Sequence, residues 1–155
     1  MIVMEEAPMQ AIRVFVVDDH PVVREMICSL LSQEPALRVI CQTADGKEAV
    51  EKAHELRPDL VLLDIGLPGI TGIEAARRIC KVSPESKIIF LSQYDSLHMA
   101  SEVLKVGGHG YVAKMDAGSD LLKAVRTVCA GGRFVSQQIV DQGWKQDASG
   151  NHETF

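Results

Sequence analysis

Apolar runs of strand length alternate with segments of helical period from residue 12 to about residue 131, and this alternation limits the chain to very few folds. The strands are read at Ile12–Val17, Leu37–Thr43, Leu60–Asp64, Lys87–Ser92 and Gly110–Ala113. Five strand–helix units in succession are the pattern of βαβ crossovers and a parallel sheet. "LVLLD" and "KIIFLS" are apolar on both alternating faces, as strands covered by helices on both sides must be.

The segments between them carry helix signals. "HPVVREMICSLLSQ" places Val22, Val23, Met26, Ile27, Leu30 and Leu31 on one stripe, with Pro21 in the first turn, where its missing N–H costs nothing. A second helix runs from Gly46 to Leu56 and is closed by "RPD", because a residue before proline is pushed out of the α region. The third covers Gly72 to Lys81, and the fourth Ser96 to Val106, where "VGGHG" stops it. The last carries Leu121, Leu122, Val125, Val128 and Cys129 inward and ends at the glycines of "AGG". The fourth helix is unusual: Leu97, Met99, Ala100, Val103, Leu104 and Val106 span an arc of roughly 160°, wider than the ~100° a core-facing stripe needs. Either the helix is deeply set, or part of the arc meets a partner.

Right-handed crossovers and short loops favour an open, doubly wound, five-stranded parallel sheet of order 2-1-3-4-5, with its ligand site at the carboxyl ends of the strands. Those ends carry Asp18 and Asp19, then Asp64, Ser92 and Lys114. Three adjacent carboxylates cannot all stay ionised without a compensating cation. Oxygen donors with no cysteine or histidine cluster point to Mg²⁺, and Ser92 and Lys114 supply a hydrogen bond and a point charge for an anion. The chemistry implied is attack by a carboxylate on phosphorus, with Asp64 the best-placed nucleophile beside the Gly/Pro loop "IGLPGITG".

In this order and spacing, "VVDDHPVVRE", "DGKEAV", "RPDLVLLDIGLPGITGIEAARRI", "IIFLS", "GGHGYVAK" and "LLKAVRTVCAGGRFVS" resemble the receiver domains of two-component response regulators, in the NarL/FixJ (LuxR-type) branch. The resemblance covers residues 11 to 135 and implies a flavodoxin-like, CheY-like fold. Carried over by position, it implies that Asp64 is the phosphoacceptor and that Asp18 and Asp19 form the acidic pair for Mg²⁺, Asp19 directly and Asp18 through water. It further implies the Gly66 carbonyl as a metal ligand, Ser92 and Lys114 as phosphoryl-binding groups, and Ser92 with Tyr111 as the switch pair. The donor would be a phosphohistidine on a sensor histidine kinase or phosphotransfer protein, with homodimerisation on phosphorylation as an expected output. Two positions differ from a common pattern or bear on lifetime: Met115 follows Lys114 where many receivers have proline, and Gly66 is too small to shield an acyl phosphate from water.

His20 reads as a polar helix-start residue at the rim of the site, tuning its electrostatics. An aspartate-based phosphatase of the haloacid-dehalogenase type is the enzyme-class rival. That family needs a second acid two residues after its nucleophile on the first strand, and His20 stands at that distance from Asp18. A third reading is a docking module that has lost phosphorylation, against which all five site residues stand.

The domain plan is a lead-in at 1–10, a receiver at 11–132, and a linker start and polar tail at 133–155. Trp144 either packs back on the domain or remains from a contact in a longer chain. Fewer than 25 residues follow the last helix, too few for the helix-turn-helix domain that this branch usually carries. The chain is read as a receiver segment of a transcription factor, with a stand-alone receiver as the alternative. A net charge of −5 does not favour direct nucleic-acid binding. No signal peptide or membrane-spanning run is seen, so the chain is read as a cytoplasmic, non-membrane regulatory domain rather than an enzyme of metabolism. Cys28, Cys41, Cys80 and Cys129 read as buried free thiols.

Overall fold

The computed structural model describes residues 11–94, 96–146 and 152–153. The five predicted strands, β1 (Ile12–Val17), β2 (Leu37–Thr43), β3 (Leu60–Asp64), β4 (Lys87–Ser92) and β5 (Gly110–Ala113), lie parallel as expected. A sixth, β6 (Phe134–Val135), pairs with β5, so the sheet order is β2-β1-β3-β4-β5-β6 rather than five strands. Two residues are too short to show a period in the sequence. The turn at Gly131, with φ of +97°, brings the chain back alongside β5.

Period-2 alternation sorts each central strand between two cores. Val14, Val16, Leu60 and Leu62 face α1 (Pro21–Ser32) and α5 (Ala117–Cys129). Phe15, Val17, Val61 and Leu63 face α2 (Gly46–Leu56), α3 (Gly72–Val82) and α4 (Leu97–Lys105). Side-chain caps set three helix starts: Asp45, Thr71 and Ser96 accept from the N–H groups of Glu48, Glu74 and Met99 at 2.9, 3.1 and 3.1 Å.

In α1, Ile27 and Leu31 are buried, whereas Val22 is 78% exposed and Met26 40%. The predicted stripe is rotated: at 100° per residue, a buried line through Val23, Ile27 and Leu31 leaves Val22 and Met26 on its outer flank. The four cysteines are free but only half-buried.

The packed fold continues past residue 132. Helix α6 (Gln137–Asp141) lies against α4, and Ile139 and Trp144 join the core that holds Ala100, Val103, Leu104 and Tyr111. This explains the wide apolar arc of α4, which has the sheet on one side and α6 on another. Ser101, outside the apolar arc read from the sequence, is buried and donates its hydroxyl to the Leu97 carbonyl at 3.0 Å. Two short strands, β7 (Lys145–Gln146) and β8 (His152–Glu153), pair antiparallel. The lead-in at 1–10 and most of the tail beyond 146 lie outside the described residues. No helix among the described residues is long and apolar enough to cross a membrane.

Candidate functional site

Strand β1 continues its ladder one step beyond Val17, the Asp18 N–H donating to the Thr43 carbonyl at 3.0 Å, which carries Asp18 to the carboxyl edge fully buried. There its Oδ1 accepts from the backbone N–H of His20 at 2.8 Å, and its carbonyl accepts from the Arg24 guanidinium at 2.6 Å, tying the residue to the start of α1. Asp64 ends β3, 2% exposed, and its Oδ1 accepts from the Gly66 N–H at 3.0 Å. Gly72 holds it from behind: a Cβ there would stand 2.2 Å from the Asp64 carbonyl oxygen, so α3 reaches this strand end only through a glycine.

Lys114, at the end of β5, joins the carboxylates. Its Nζ lies 2.9 Å from Asp18 Oδ2 and 3.1 Å from Asp64 Oδ2. Asp19, Asp64 and Ser92 line one cleft of about 310 Å³ together with His20, Gly66, Tyr94 and Met99. The expected convergence of Asp18, Asp19, Asp64, Ser92 and Lys114 on one edge is therefore present.

The electrostatics follow from the crowding. Burial, and after it the Asp18 carboxylate, push the Asp64 carboxyl above the ordinary range, against the opposing pull of the Gly66 N–H and Lys114. Asp18 Oδ2, Asp19 Oδ1 and Asp64 Oδ2 are buried atoms with no hydrogen bond among the described residues, and they are faced by Lys114 and His20 as ion-pair partners. Oxygens left in this condition fit a hard divalent cation.

Ser92 and Tyr111 are linked through the loop after β4. Ser92 Oγ accepts from the Tyr94 N–H at 3.0 Å, and the Tyr94 carbonyl accepts from the Tyr111 hydroxyl at 2.6 Å. Tyr111 is fully buried beside α4, not at the surface. Ser136, just after β6, closes the far side of β5: its N–H donates to the Tyr111 carbonyl at 3.1 Å, and its hydroxyl accepts from the Ala113 N–H at 3.1 Å.

His20 stands at the rim of the site, as expected, its side chain 45% exposed. Its backbone begins α1, and its ring edge faces the acidic pair, with Nδ1 at hydrogen-bond distance, 3.2 Å, from Asp18 Oδ1, 3.2 Å from Asp19 Oδ1 and 3.8 Å from Asp64 Oδ2. Sequence adjacency hinted at this; the direction of the ring had no sequence signal. Ser136 was not singled out either, because a serine after a two-residue strand has no distinctive pattern.

The family model of the response regulator receiver domain matches residues 14–126. The response regulator GacA of Pseudomonas viridiflava is 38% identical over 131 residues, which are 84% of this chain and 61% of that protein. The transcriptional regulatory protein DegU of Brevibacillus brevis is 35% identical over 136 residues, 87% of this chain and 57% of that protein. The chain thus spans about three fifths of the length of the curated relatives it matches. Among solved structures, a two-component response regulator of the LuxR family from Aurantimonas sp. SI85-9A1 superposes with a TM-score of 0.80 at 33% identity, covering 86% of this chain and 98% of that one. The isolated REC domain of RcsB from Salmonella enterica serovar Typhimurium, solved with phosphomimetic BeF3−, gives 0.79 at 26% identity over 85% of this chain and 98% of that one. With the sheet order, the acidic edge and these matches together, the chain belongs to the response regulator receiver family, in its NarL/FixJ (LuxR-type) branch.

Proposed function

We propose that this chain is a phosphorylation-controlled switch in which Asp64 takes a phosphoryl group from the phosphohistidine of a sensor histidine kinase or phosphotransfer protein. The observation that carries the reading is Asp64 itself: a buried carboxylate opening on a cleft, with a second carboxylate and an ammonium within contact distance. In the transfer, a carboxylate oxygen of Asp64 forms the P–O bond while the P–N bond to the donor breaks. The donor imidazole leaves with the electron pair and takes a proton from solvent. Lys114 places its charge on a phosphoryl oxygen, and the Ser92 hydroxyl donates to another. Asp19, Asp64 and the Gly66 carbonyl would hold Mg²⁺, with Asp18 acting through water. When bound, the cation offsets the negative charge collected on the carboxylates and the incoming group.

The output follows from the hydrogen-bond chain. Turning the Ser92 hydroxyl toward a phosphoryl oxygen competes with its bond to the Tyr94 N–H, and the Tyr94 carbonyl is what holds Tyr111 inward. Phosphorylation therefore shifts a two-state equilibrium in the loop before α4 and in α4 itself. Exposed Val22, Met26 and Met115 flank the site in sequence and give a partner protein apolar purchase beside it. The protein acts in the cytoplasm by changing its association state, including homodimerisation, or by controlling a DNA-binding domain carried on a longer chain. As a stand-alone receiver it would act by docking alone. Its only catalysis is of its own phosphorylation and dephosphorylation.

Incubation with acetyl phosphate and Mg²⁺, followed by intact mass, tests the assignment. Wild type should gain one phosphoryl group and Asp64→Ala none. An equal gain in both would overturn Asp64 as the acceptor.

A further inference from the structure

Lys114 reaches the two carboxylates from the point where β5 gives way to a single 3₁₀ turn, Lys114–Asp116, and one short stretch after β6 grips that backbone on both sides. The Ala113 N–H, the last before Lys114, donates to the Ser136 hydroxyl at 3.1 Å in a buried contact. Beyond Lys114, Asp116 Oδ1 accepts from the Gln138 side-chain amide at 3.4 Å. Met115, between them, is exposed and gives the turn no anchor of its own. Strand β6 ends at Val135, opposite Tyr111, so its ladder stops short of Ala113. The Ser136 carbonyl is committed to α6, accepting from the Ile139 and Val140 N–H groups at 2.9 and 3.2 Å. Its hydroxyl stands where a serine usually caps a helix, yet it makes no cap bond there. The hydroxyl thus takes the place of the missing strand carbonyl, and an alanine would leave a buried N–H unpaired.

We infer that Ser136, seconded by Gln138, is a positioning residue for Lys114, so that residues 136–138 govern phosphoryl transfer at Asp64 without touching it. The inference rests on the reading of Lys114 as the group that places its charge on a phosphoryl oxygen. Lysine is a point charge on a long, flexible stem, so the backbone from which it springs decides where the ammonium can go. That backbone is fixed before Lys114 by Ser136 and after it by Gln138. Misplacing a reacting group by about 1 Å can cost about a hundredfold in rate, so a bond remote from phosphorus can still control the transfer. Neither Ser136 nor Gln138 lines the cleft at Asp64, so their effect on transfer passes through Lys114.

The test uses the full 155-residue chain with acetyl phosphate as donor and saturating Mg²⁺, phosphoryl incorporation being followed over time by intact mass. Ser136→Ala should lower the rate constant at saturating donor about tenfold, and Gln138→Ala, which loses the longer bond at an exposed position, about threefold. Arg13→Ala, at the opposite end of the sheet, is the stability control and should keep the wild-type rate. Mg²⁺ affinity, read by calorimetry, should stay within about twofold of wild type in every variant, because the acidic residues are untouched. A wild-type rate in Ser136→Ala would overturn the inference, as would an equal loss in Arg13→Ala, which would make it an effect of stability. So would a fall in Mg²⁺ affinity parallel to the fall in rate, which would place the damage in the acidic cluster. An unchanged Gln138→Ala beside a slowed Ser136→Ala would overturn the part of Gln138 only. If Ser136→Ala does not fold, Gln138→Ala decides alone: a slowed rate supports the inference and an unchanged one overturns it. A wild type that gains no phosphoryl group overturns the reading of Asp64 as acceptor, and this inference with it.

Discussion

Asp59 and Asp64 bracket the same strand, β3, and their surroundings could hardly differ more. Asp59 is exposed, yet fully engaged: its Oδ2 accepts from the Arg13 N–H at 2.8 Å, its own N–H donates to the Arg13 carbonyl at 3.0 Å, and its carbonyl accepts from the Lys87 N–H at 2.9 Å. The neighbours follow suit. Arg13 closes the last carbonyls of α2, donating to Leu56 at 2.8 Å and Arg57 at 2.9 Å, and His109 Nδ1 accepts from the Ile88 N–H at 3.1 Å. Asp64 is buried, and one of its oxygens has only the Lys114 ammonium and the nearby His20 ring for company. A cavity of about 350 Å³ also opens at the Asp59 end, so cavity size does not distinguish the two ends. The difference lies in what the polar groups do. At one end they satisfy backbone and stabilise the fold; at the other they are held near like charges, a cost that is sensible only where an incoming ligand relieves it.

Removing the ammonium should break the contrast most violently. Lys114→Met leaves two buried carboxylates uncompensated and is expected to cost about 3–5 kcal/mol at neutral pH in denaturant unfolding. Adding Asp64→Asn should recover part of that loss, and a simple sum of the two single effects would refute their interaction. At the opposite end, Arg13→Ala should cost about 2 kcal/mol for two lost bonds to carbonyls, without altering phosphoryl incorporation.

Asp64→Asn alone should act with the opposite sign. Folded Asp64 holds its proton more tightly than the unfolded chain does, so ionising it erodes wild-type stability as pH rises through its raised pKa. The asparagine variant should therefore melt above wild type at neutral pH, and the gap should close as pH falls toward the ordinary carboxylate value of 3.8. A lower melting point at neutral pH would show that Lys114 compensates Asp64 more fully than burial and Asp18 disfavour its charge.

The smallest effect is expected at His109. Burial first, then Lys87 and Arg133, lower its pKa from 6.5 to about 4. Unfolded His109 thus binds a proton that folded His109 refuses, and its contribution, full above pH 6.5, is lost as pH falls through about 4. His109→Gln should flatten the stability profile in that window, measured by unfolding at several pH values. An unchanged slope there would remove His109 from the acid response.

Much of this was readable in the chain. The bounds of β1 to β5 and of α2 coincide with those expected, because period-2 runs, proline and glycine act locally. The convergence of Asp18, Asp64, Ser92 and Lys114 was legible because a parallel sheet delivers all its strand ends to one edge. Misses occur where a neighbour decides. Ser101 is buried on an α4 that packs against both the sheet and α6, and Val22 and Met26 are exposed because α1 settles on a line through Ile27 and Leu31. Of the two readings of Trp144, packing back on the domain is the one the fold adopts, in the core shared by Ile139, Val103 and Tyr111.

The sequence by itself determined the α/β alternation, the acidic edge and the residue types that can carry phosphoryl chemistry, since each is written in local periodicity and in the strand-end positions. Tertiary structure alone decided that the His20 ring edge meets both Asp18 and Asp19, that Tyr111 is buried and tied through Tyr94 to Ser92, and that residues after 132 add a strand to the sheet. Those outcomes depend on contacts between segments distant in the chain, where a side chain's direction is fixed by the partner it meets and by no property of its own stretch of sequence.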